Sequence, residues 1–396
     1  MNEAAPLEMI SQENVESDLN GLFRAAIRVV LESVLEDEVE QMVGAEKYAK
    51  LASRKDYRNG SYLRRVLTSM GEVEVAMPRT RFQGSPTHVV GQYRRRTGEL
   101  DDAITQAYVS GVSTRDVAKV TEALAGHRVT RSTVSRVTKA LDERVAELRA
   151  SPITQKFPYV YLDATFIHAR WARSVENVSV LVAYGVSAED GHRHLLGVSI
   201  GAEESEASWN ELLSELVARG LDGVQLVISD EHAGLVKSAR RHFPEAKHQR
   251  CVVHLERNVL SKAPAKLRSR LGKLVSAVFS ADSRADAAQK LSDLKLGLGT
   301  QVPEAIECLE KGFAASTTFF SFPKAHWRRI RTTNSLERLH GELKRRIRSV
   351  GAFPDRASAL RLATAVAIEK TDIWSDRRYL DMSLLNTSNV ETDQVA

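Results

Sequence analysis

The spacing of hydrophobic positions changes several times along the chain, and each change marks a predicted element. Between residues 22 and 43 (LFRAAIRVVLESVLEDEVEQMV), Leu22, Ala26, Val29, Val30, Val34, Val39 and Met42 recur near the helical period, which predicts an amphipathic helix. Its apolar face could pack on its own domain or on a second copy of the chain. From Tyr57 to Arg96 apolar residues alternate around Gly71, predicting short strands in a small, arginine-rich β module. Residues 97–149 return to helical spacing. Ser113 and Asp116 read as a capping box opening a helix through Val117, Val120 and Leu124; Gly126 stops it, and Thr130 caps a second helix carrying Val134, Val137 and Leu141. Two helices joined across GHRVT fit a helix-turn-helix. Its second helix would expose Arg131, Ser132, Ser135, Arg136 and Lys139, residue types that reach phosphates and base edges. An ordinary pair of packed helices has the same pattern.

After Ser151-Pro152 the pattern becomes that of strands: FPYVYLDATFIHAR, VENVSVLVAYGV and HRHLLGVSIG, with Glu189-Asp190-Gly191 as the turn between the last two. This order predicts an antiparallel meander. A helix with the stripe Trp209, Leu212, Leu213, Leu216 and Val217 follows, then the apolar strand GVQLVIS ending at Asp230, a further helix, and a short strand over QRCVVH. The order βββαβαβ predicts an α/β fold with a mixed sheet. Residues 255–322 carry only helical patterns and read as an all-helical insertion. The segment 331–346, RTTNSLERLHGELKRR, is a helix with Leu336, Leu339, Leu343, Ile347 and Val350 as its buried stripe; one more helix is expected near 354–370, and a polar tail from Thr387.

Composition narrows the classes. A chain of 396 residues with 43% hydrophobic and 27% charged residues can bury a core and divide into domains. No run of eighteen apolar residues suggests a membrane span, and the first residues lack the basic-then-apolar order of a secretory signal, so the expected location is cytoplasmic. The two cysteines, Cys251 and Cys308, suit a reducing compartment. Charge is spread unevenly: residues 1–49 carry eleven acids and three bases, whereas residues 50–100 carry eleven bases and four acids. Between Lys324 and Arg348 nine bases stand against two acids, one of which is Glu337. That glutamate shares a helix face with Gly341, Lys344 and Arg348, in a stretch suited to a polyanion.

Asp163 follows the apolar run VYL, and Asp230 ends LVIS. Side chains at neighbouring strands of an α/β sheet can converge at one edge, and two such aspartates joined by Glu337 from a helix can hold two Mg²⁺ or Mn²⁺ ions for phosphodiester chemistry. Each acid also has a plainer reading: a strand-end turn for Asp163, a helix N-cap for Asp230, and the last member of a capping box (Asn334-Ser-Leu-Glu337) for Glu337. Cys251-Val-Val-His254 could be half of a zinc site. No second Cys/His pair at finger spacing accompanies it, so zinc is not expected. Arg257 and Asn258, next to it, are weaker DNA-contact candidates, and Trp209 fits core packing better than base stacking.

Taken together, LDAT, ISDEHAGLVKSARRHFPEAKHQRCVVHLERN and RTTNSLERLHGELKRR, with YRNG at 57–60 and STRD at 113–116, resemble the mutator-type transposases of bacterial insertion sequences, over most of the chain. The resemblance implies an RNase H-like fold with an Asp-Asp-Glu triad, Asp163, Asp230 and Glu337, and a helical insertion before the Glu. It also implies that Cys251 and His254 sit beside the active site and arrange the DNA strand; the charge pattern around Glu337 gives Lys344, Arg345 and Arg348 as cations that hold it. The expected organisation is a helical region (1–50), a basic β module (51–96), a helix-turn-helix (97–150), a catalytic core (151–254), the insertion (255–322), the final core helices (323–372) and a tail (373–396). The expected function is binding of double-stranded DNA at terminal inverted repeats, metal-dependent strand cleavage and 3′-OH transfer to target DNA. A homodimer is the natural unit, since two ends must be joined. A structure-selective nuclease would keep the metals without joining strands, and a non-catalytic DNA-binding regulator would have no need of the triad.

Overall fold

The computed structural model describes residues 12–49, 51, 54–86, 96–125, 128–171, 174–375 and 377–385. It divides into two compact units, residues 1–139 and 140–396.

The first unit is built from helix α1 (Gln12–Val43), strands β1 (Arg58–Thr68) and β2 (Gly71–Thr80), and helices α2 (Gly98–Val109), α3 (Thr114–Ala125) and α4 (Arg131–Val137). β1 and β2 form the antiparallel hairpin expected around Gly71, whose φ of 111° lies where a side chain would be strained. α1 packs on this hairpin through Leu35, with Ile27 and Leu31 alongside, against Val66, Val73, Val75 and Met77. The Glu32 carboxylate accepts the Ala76 backbone N–H at 2.9 Å and fixes which side of the helix faces β2. The expected stripe is therefore only partly the buried one. Val39 is buried, but Leu22, Ala26, Val29 and Val30 are exposed on the opposite side, because α1 is apolar on two faces and spacing alone does not rank them.

α2, α3 and α4 share a core of Leu100, Ile104, Val117, Val129, Val134 and Val137, joined by Leu67 of β1. The capping box at α3 forms as read: Ser113 Oγ accepts the Asp116 N–H at 3.2 Å and donates to Asp116 Oδ2 at 2.7 Å. Ala118 and Thr121 are buried beside Val117, while Val120 is 43% exposed, so α3 is rotated from the expected face. Thr130 caps α4 by accepting the Thr133 N–H at 3.2 Å. The helix expected to run on through Leu141 breaks at Val137 into a 3₁₀ turn, Thr138–Ala140. Gly126 lies outside the described residues.

The second unit begins with α5 (Leu141–Ala150). Next come β3 (Tyr159–Trp171), β4 (Ser174–Val186), β5 (Arg193–Gly201), α6 (Glu206–Ala218), β6 (Leu226–Ser229), α7 (Ala233–His242) and β7 (Lys247–Arg250). The sheet order is β5-β4-β3-β6-β7, antiparallel across the β3–β4–β5 meander and parallel across β3–β6–β7, which is the mixed α/β sheet expected. One face, with Val160, Leu162, Leu181, Leu196 and Val227, is covered by Trp209, Leu212, Leu213 and Leu216 of α6 and by Leu235 and Ala239 of α7. Each large apolar side chain buried there contributes about 1.5–3 kcal/mol. Trp209 is fully buried, as its stripe indicated. On the other face Tyr161 stacks on Tyr184 at 4.5 Å, and the Tyr159 hydroxyl meets His326 Nδ1 at 2.9 Å.

The strand expected over QRCVVH ends at Arg250. Cys251 is the cap residue of α8 (Val252–Ser261), whose first turn holds Val252, Val253 and His254. The apolar, β-branched pair Val252-Val253 looks like strand, but here it starts a helix. α9 (Ala265–Phe279), α10 (Arg284–Leu298) and α11 (Pro303–Ser316) follow, then the short α12 (Trp327–Ile330), α13 (Asn334–Ile347) and α14 (Arg356–Ser375). No strand appears among the described residues between α8 and α13. α13 buries Leu336, Leu339, Leu343 and Ile347 as expected, whereas Val350 lies past its end. The polar tail from Thr387 lies outside the described residues.

Candidate active site

Strand register places the two aspartates. β3 and β6 pair in parallel with Tyr159 opposite Leu226 and Tyr161 opposite Ile228; the same offset, carried two residues on, sets Asp163 level with Asp230. β6 and β7 pair Ser229 with Arg250, so one step further sets Asp230 level with Cys251. Parallel neighbours lie about 4.8 Å apart, and level residues point to the same side. Asp163, Asp230 and Cys251 thus form a row where β6 and β7 end. Asp163 is not at a strand end: β3 continues to Trp171, paired on one side with β4. Its Oδ1 accepts the Ala164 N–H at 3.0 Å. Asp230 does not cap α7, whose cap is His232; instead its Oδ1 accepts the His232 N–H at 3.1 Å.

Glu337 arrives from α13, and Cys251 helps to dock that helix. The Cys251 sulfur accepts the N–H and hydroxyl of Thr333, both at 3.4 Å, and the Val252 N–H bonds to Arg331 O at 3.0 Å. These contacts lay the start of α8 beside the start of α13. His254 and Arg257, three apart and so on one face of α8, reach Glu337. Arg257 donates through both terminal nitrogens to the two carboxylate oxygens, at 2.6 and 3.0 Å, and His254 Nε2 lies 3.3 Å from Oε1. The capping-box reading of Glu337 fails: Thr333 is the cap residue, and the Glu337 side chain points to α8.

Basic side chains surround these acids. His340, one turn after Glu337 and buried, sets Nδ1 3.4 Å from Asp163 Oδ2, so one helix supplies both the third acid and a partner for the first. His254 is pushed up to about 9, first by the Cys251 thiol beside it and then, against the effect of burial, by Asp163 and Asp230. Burial works against the Cys251 thiolate, but His254 and the Thr333 donors outweigh it and lower the thiol. A fourth acid stands close by. Glu204, in the loop before α6, is held above its ordinary value by burial and next by Asp230, with a smaller push from Asp163. Trp209 Nε1 donates to its Oε1 at 3.3 Å.

The donors are hard carboxylate oxygens, the set that suits Mg²⁺ or Mn²⁺ and poorly suits a soft metal. Among the described residues, no group of three or more His, Cys, Asp or Glu is spaced to hold a metal ion. Both Glu337 oxygens are engaged by Arg257 instead. The Asp163 and Asp230 carboxylates are of the type that fits such a cation, while Glu337 is held by Arg257. His340, Glu204 and His232 were missed in the sequence. His340 carried a faint signal, one turn from Glu337; Glu204 carried none, being one acid of an exposed-looking loop.

The remaining candidates lie outside this cluster. Lys344, Arg345 and Arg348 are exposed on α13, with Arg345 paired to Glu342 at 2.7 and 2.9 Å. In the first unit Arg131, Ser132, Ser135, Arg136 and Lys139 are all exposed, as expected. A cleft of about 780 Å³ between β1 and the start of α4 is lined by Arg64, Arg65, Arg96, Arg128 and Arg136, with Glu72 and Glu74 opposing them. No helix among the described residues is long and apolar enough to cross a membrane.

The sequence matches the family model described as "Transposase, Mutator family" over residues 2–377. It is similar to the transposase for insertion sequence element ISRM5 of Rhizobium meliloti (strain 1021), 36% identical over 370 residues that cover 92% of each chain. The transposase for insertion sequence element IS406 of Burkholderia multivorans (strain ATCC 17616 / 249) is 34% identical over 375 residues, 94% of this chain and 96% of that one. Among solved structures, the Drosophila P element transposase strand transfer complex matches 74% of this chain and 85% of that chain at 13% identity, with a TM-score of 0.30.

Proposed function

The chain belongs to the Mutator family of transposases, and from that premise we propose that it is a DDE-type enzyme with an RNase H-like core, using Asp163, Asp230 and Glu337 to cut and join DNA. The observation that carries this reading is the level row of Asp163 and Asp230 on adjacent parallel strands, with Glu337 brought toward it by the docking of α13 on α8. When bound at these carboxylates, two Mg²⁺ or Mn²⁺ ions would supply activation of the attacking oxygen and stabilisation of the leaving one.

The chain's own residues supply the rest. Arg257 and His254 hold Glu337 and keep its charge matched until it is needed. The Arg257 side chain is 60% exposed even while it holds Glu337, and once released it is free to take a DNA phosphate, for which its fork is suited. Lys344, Arg345 and Arg348 line the same helix and would hold the strand's backbone; Cys251 positions the Thr333 end of α13. In the first unit, α3 and α4 act as a helix-turn-helix, with Arg131, Ser132, Ser135, Arg136 and Lys139 toward the terminal repeat. The arginine-lined cleft supports phosphate contact there. The exposed face of α1, with Leu22, Phe23, Val29 and Val30 uncovered, supports assembly as a homodimer.

Precleaved duplexes carrying the element's terminal repeat test the reading. With Mg²⁺ and target DNA the protein is expected to yield joined products. Nicking without joining would favour a nuclease, and binding without either would leave only a DNA-binding protein.

A further inference from the structure

We propose that Glu204 is a further positioning residue of this site: it stands against His232 in the Asp230 loop and adds a fourth carboxylate to the field that retains a divalent cation. The inference rests on the metal-dependent reading above. No sheet register brings Glu204 to the aspartates, since it follows β5, at the far edge from β6 and β7. The link is a chain of contacts across the start of α6. The indole of Trp209, fully buried in the core, donates to Glu204 Oε1 at 3.3 Å. That same oxygen lies 3.8 Å from His232 Nδ1, an electrostatic rather than a hydrogen-bonded separation. His232 in turn donates its backbone N–H to Asp230 Oδ1 at 3.1 Å.

The backbone fixes this chain in place. A Cβ at Gly234 would stand 2.6 Å from Glu206 N and 3.1 Å from Ser205 C, so the starts of α6 and α7 touch where only a glycine fits. The Glu204 side chain is 12% exposed. A carboxylate so far out of water is unfavourable as an anion unless cationic charge offsets it. A divalent cation at Asp163 and Asp230 would supply it, and Glu204 would strengthen its retention without needing to touch it.

A purely structural role, acceptance of the Trp209 N–H, makes a different prediction, because Glu204→Gln keeps that oxygen and removes the charge. Mn²⁺ binding to the full chain without DNA is measured by titration calorimetry for wild type, Glu204→Gln, Glu204→Asp and Asp163→Asn. Expected is a tenfold to hundredfold loss of affinity in Glu204→Gln, the range for an outer partner of a metal site, with a smaller loss in Glu204→Asp. Excess Mn²⁺ should restore DNA cleavage by Glu204→Gln. Wild-type affinity in Glu204→Gln, beside a loss in Asp163→Asn, overturns the role of Glu204 alone. Wild-type affinity in Asp163→Asn overturns the metal reading and this inference with it. Should Glu204→Gln not fold, the wild type still answers: Mn²⁺ should broaden the indole N–H resonance of Trp209 ahead of those of the other three tryptophans. A sharp Trp209 signal at saturating Mn²⁺ would reject the proposal.

Discussion

Helix α4 leaves its polar residues in water, while α13 has most of its own claimed by other elements. On α4 the exposed Arg131, Ser132, Ser135 and Arg136 stand over a buried Val134 and Val137. On α13, Glu337 is held by Arg257 and His254 of α8, His340 by Asp163 of β3, and Arg346 by Glu342 and Glu369. An exposed charge acts through its number and can be replaced by a neighbour, because water and salt screen it. A charge engaged by a particular partner acts through its position, and no neighbour substitutes for it. Substitutions at the engaged positions of α13 should therefore be all-or-none in effect, and those on α4 graded and dependent on salt.

The largest effect is expected at Glu337. Glu337→Gln should fold and bind terminal DNA while losing roughly three orders of magnitude in cleavage rate, several kcal/mol of lost transition-state stabilisation. Single-turnover cleavage of a labelled terminal duplex measures it; a loss under tenfold would put Glu337 outside the chemistry.

Two neighbouring arginines on α13 sharpen the comparison within one helix. Arg345 and Arg346 both bind Glu342, but Arg345 is 63% exposed and Arg346 only 5%. Arg346 also forks to Glu369, with both distances 2.7 Å. Arg346→Ala should cost about 3 kcal/mol, since it takes the forked partner from Glu369, while Glu342 keeps Arg345. Arg345→Ala should cost under about 1 kcal/mol in urea denaturation. Equal costs would mean that burial does not separate them. Acid adds a second readout. Arg345 foremost, then Arg346, hold Glu342 well below the usual carboxylate range against the effect of burial, and Arg346 does the same for Glu369. A depressed carboxylate contributes stability above its unfolded value of about 4.3, and that stability is lost as pH falls toward its folded value. Below about pH 4 the wild-type melting temperature should therefore drop more steeply than that of Arg346→Ala.

The same contrast explains what could be read in the chain beforehand. The sheet was legible because its strands are apolar runs bounded by turns, and Asp163 and Asp230 are the polar residues that interrupt or end those runs. The four exposed residues of α4, Arg131, Ser132, Ser135 and Arg136, were legible because burying Val134 and Val137 turns the others outward. Where tertiary partners decide, the pattern was mute or misleading. Cys251-Val-Val-His254 looks like strand, yet Cys251 turns the chain into α8 and binds Thr333, a residue 82 positions away. α1 has two apolar faces, and only the hairpin selects Leu31 and Leu35 over Leu22 and Val29. Glu204 and His340 gain their meaning from Asp230 and Asp163, and no local spacing announces that.

A graded effect is expected at α4. Arg136→Ala should weaken binding of terminal duplex several-fold and lower the slope of log affinity against log salt by about one, the mark of one lost phosphate contact. Fluorescence anisotropy between about 50 and 200 mM salt measures both. Divalent-ion affinity without DNA should stay at the wild-type value. A slope that does not move would place Arg136 away from phosphate and remove the contrast on which α4 was set against α13.

The smallest effect tests the point where the two behaviours meet. Arg257 is 60% exposed, like the arginines of α4, yet it grips Glu337, 25% exposed, through a two-pronged pair. If position dominates, Arg257 competes with a cation for Glu337, and Arg257→Ala should bind Mn²⁺ more tightly. The gain is bounded by what a largely exposed ion pair contributes, up to about 1 kcal/mol, or about fivefold at most. If Arg257 instead acts only as one more surface charge, Mn²⁺ affinity should rise no more than in Lys344→Ala, which removes one positive charge from exposed α13. Calorimetry on the two variants at the same ionic strength decides between them. The same Arg257→Ala should weaken DNA binding, because the guanidinium it removes is the one that Glu337 releases. A tighter metal site with poorer DNA retention is the outcome that a residue passing from carboxylate to phosphate requires, and tighter binding of both would break that link.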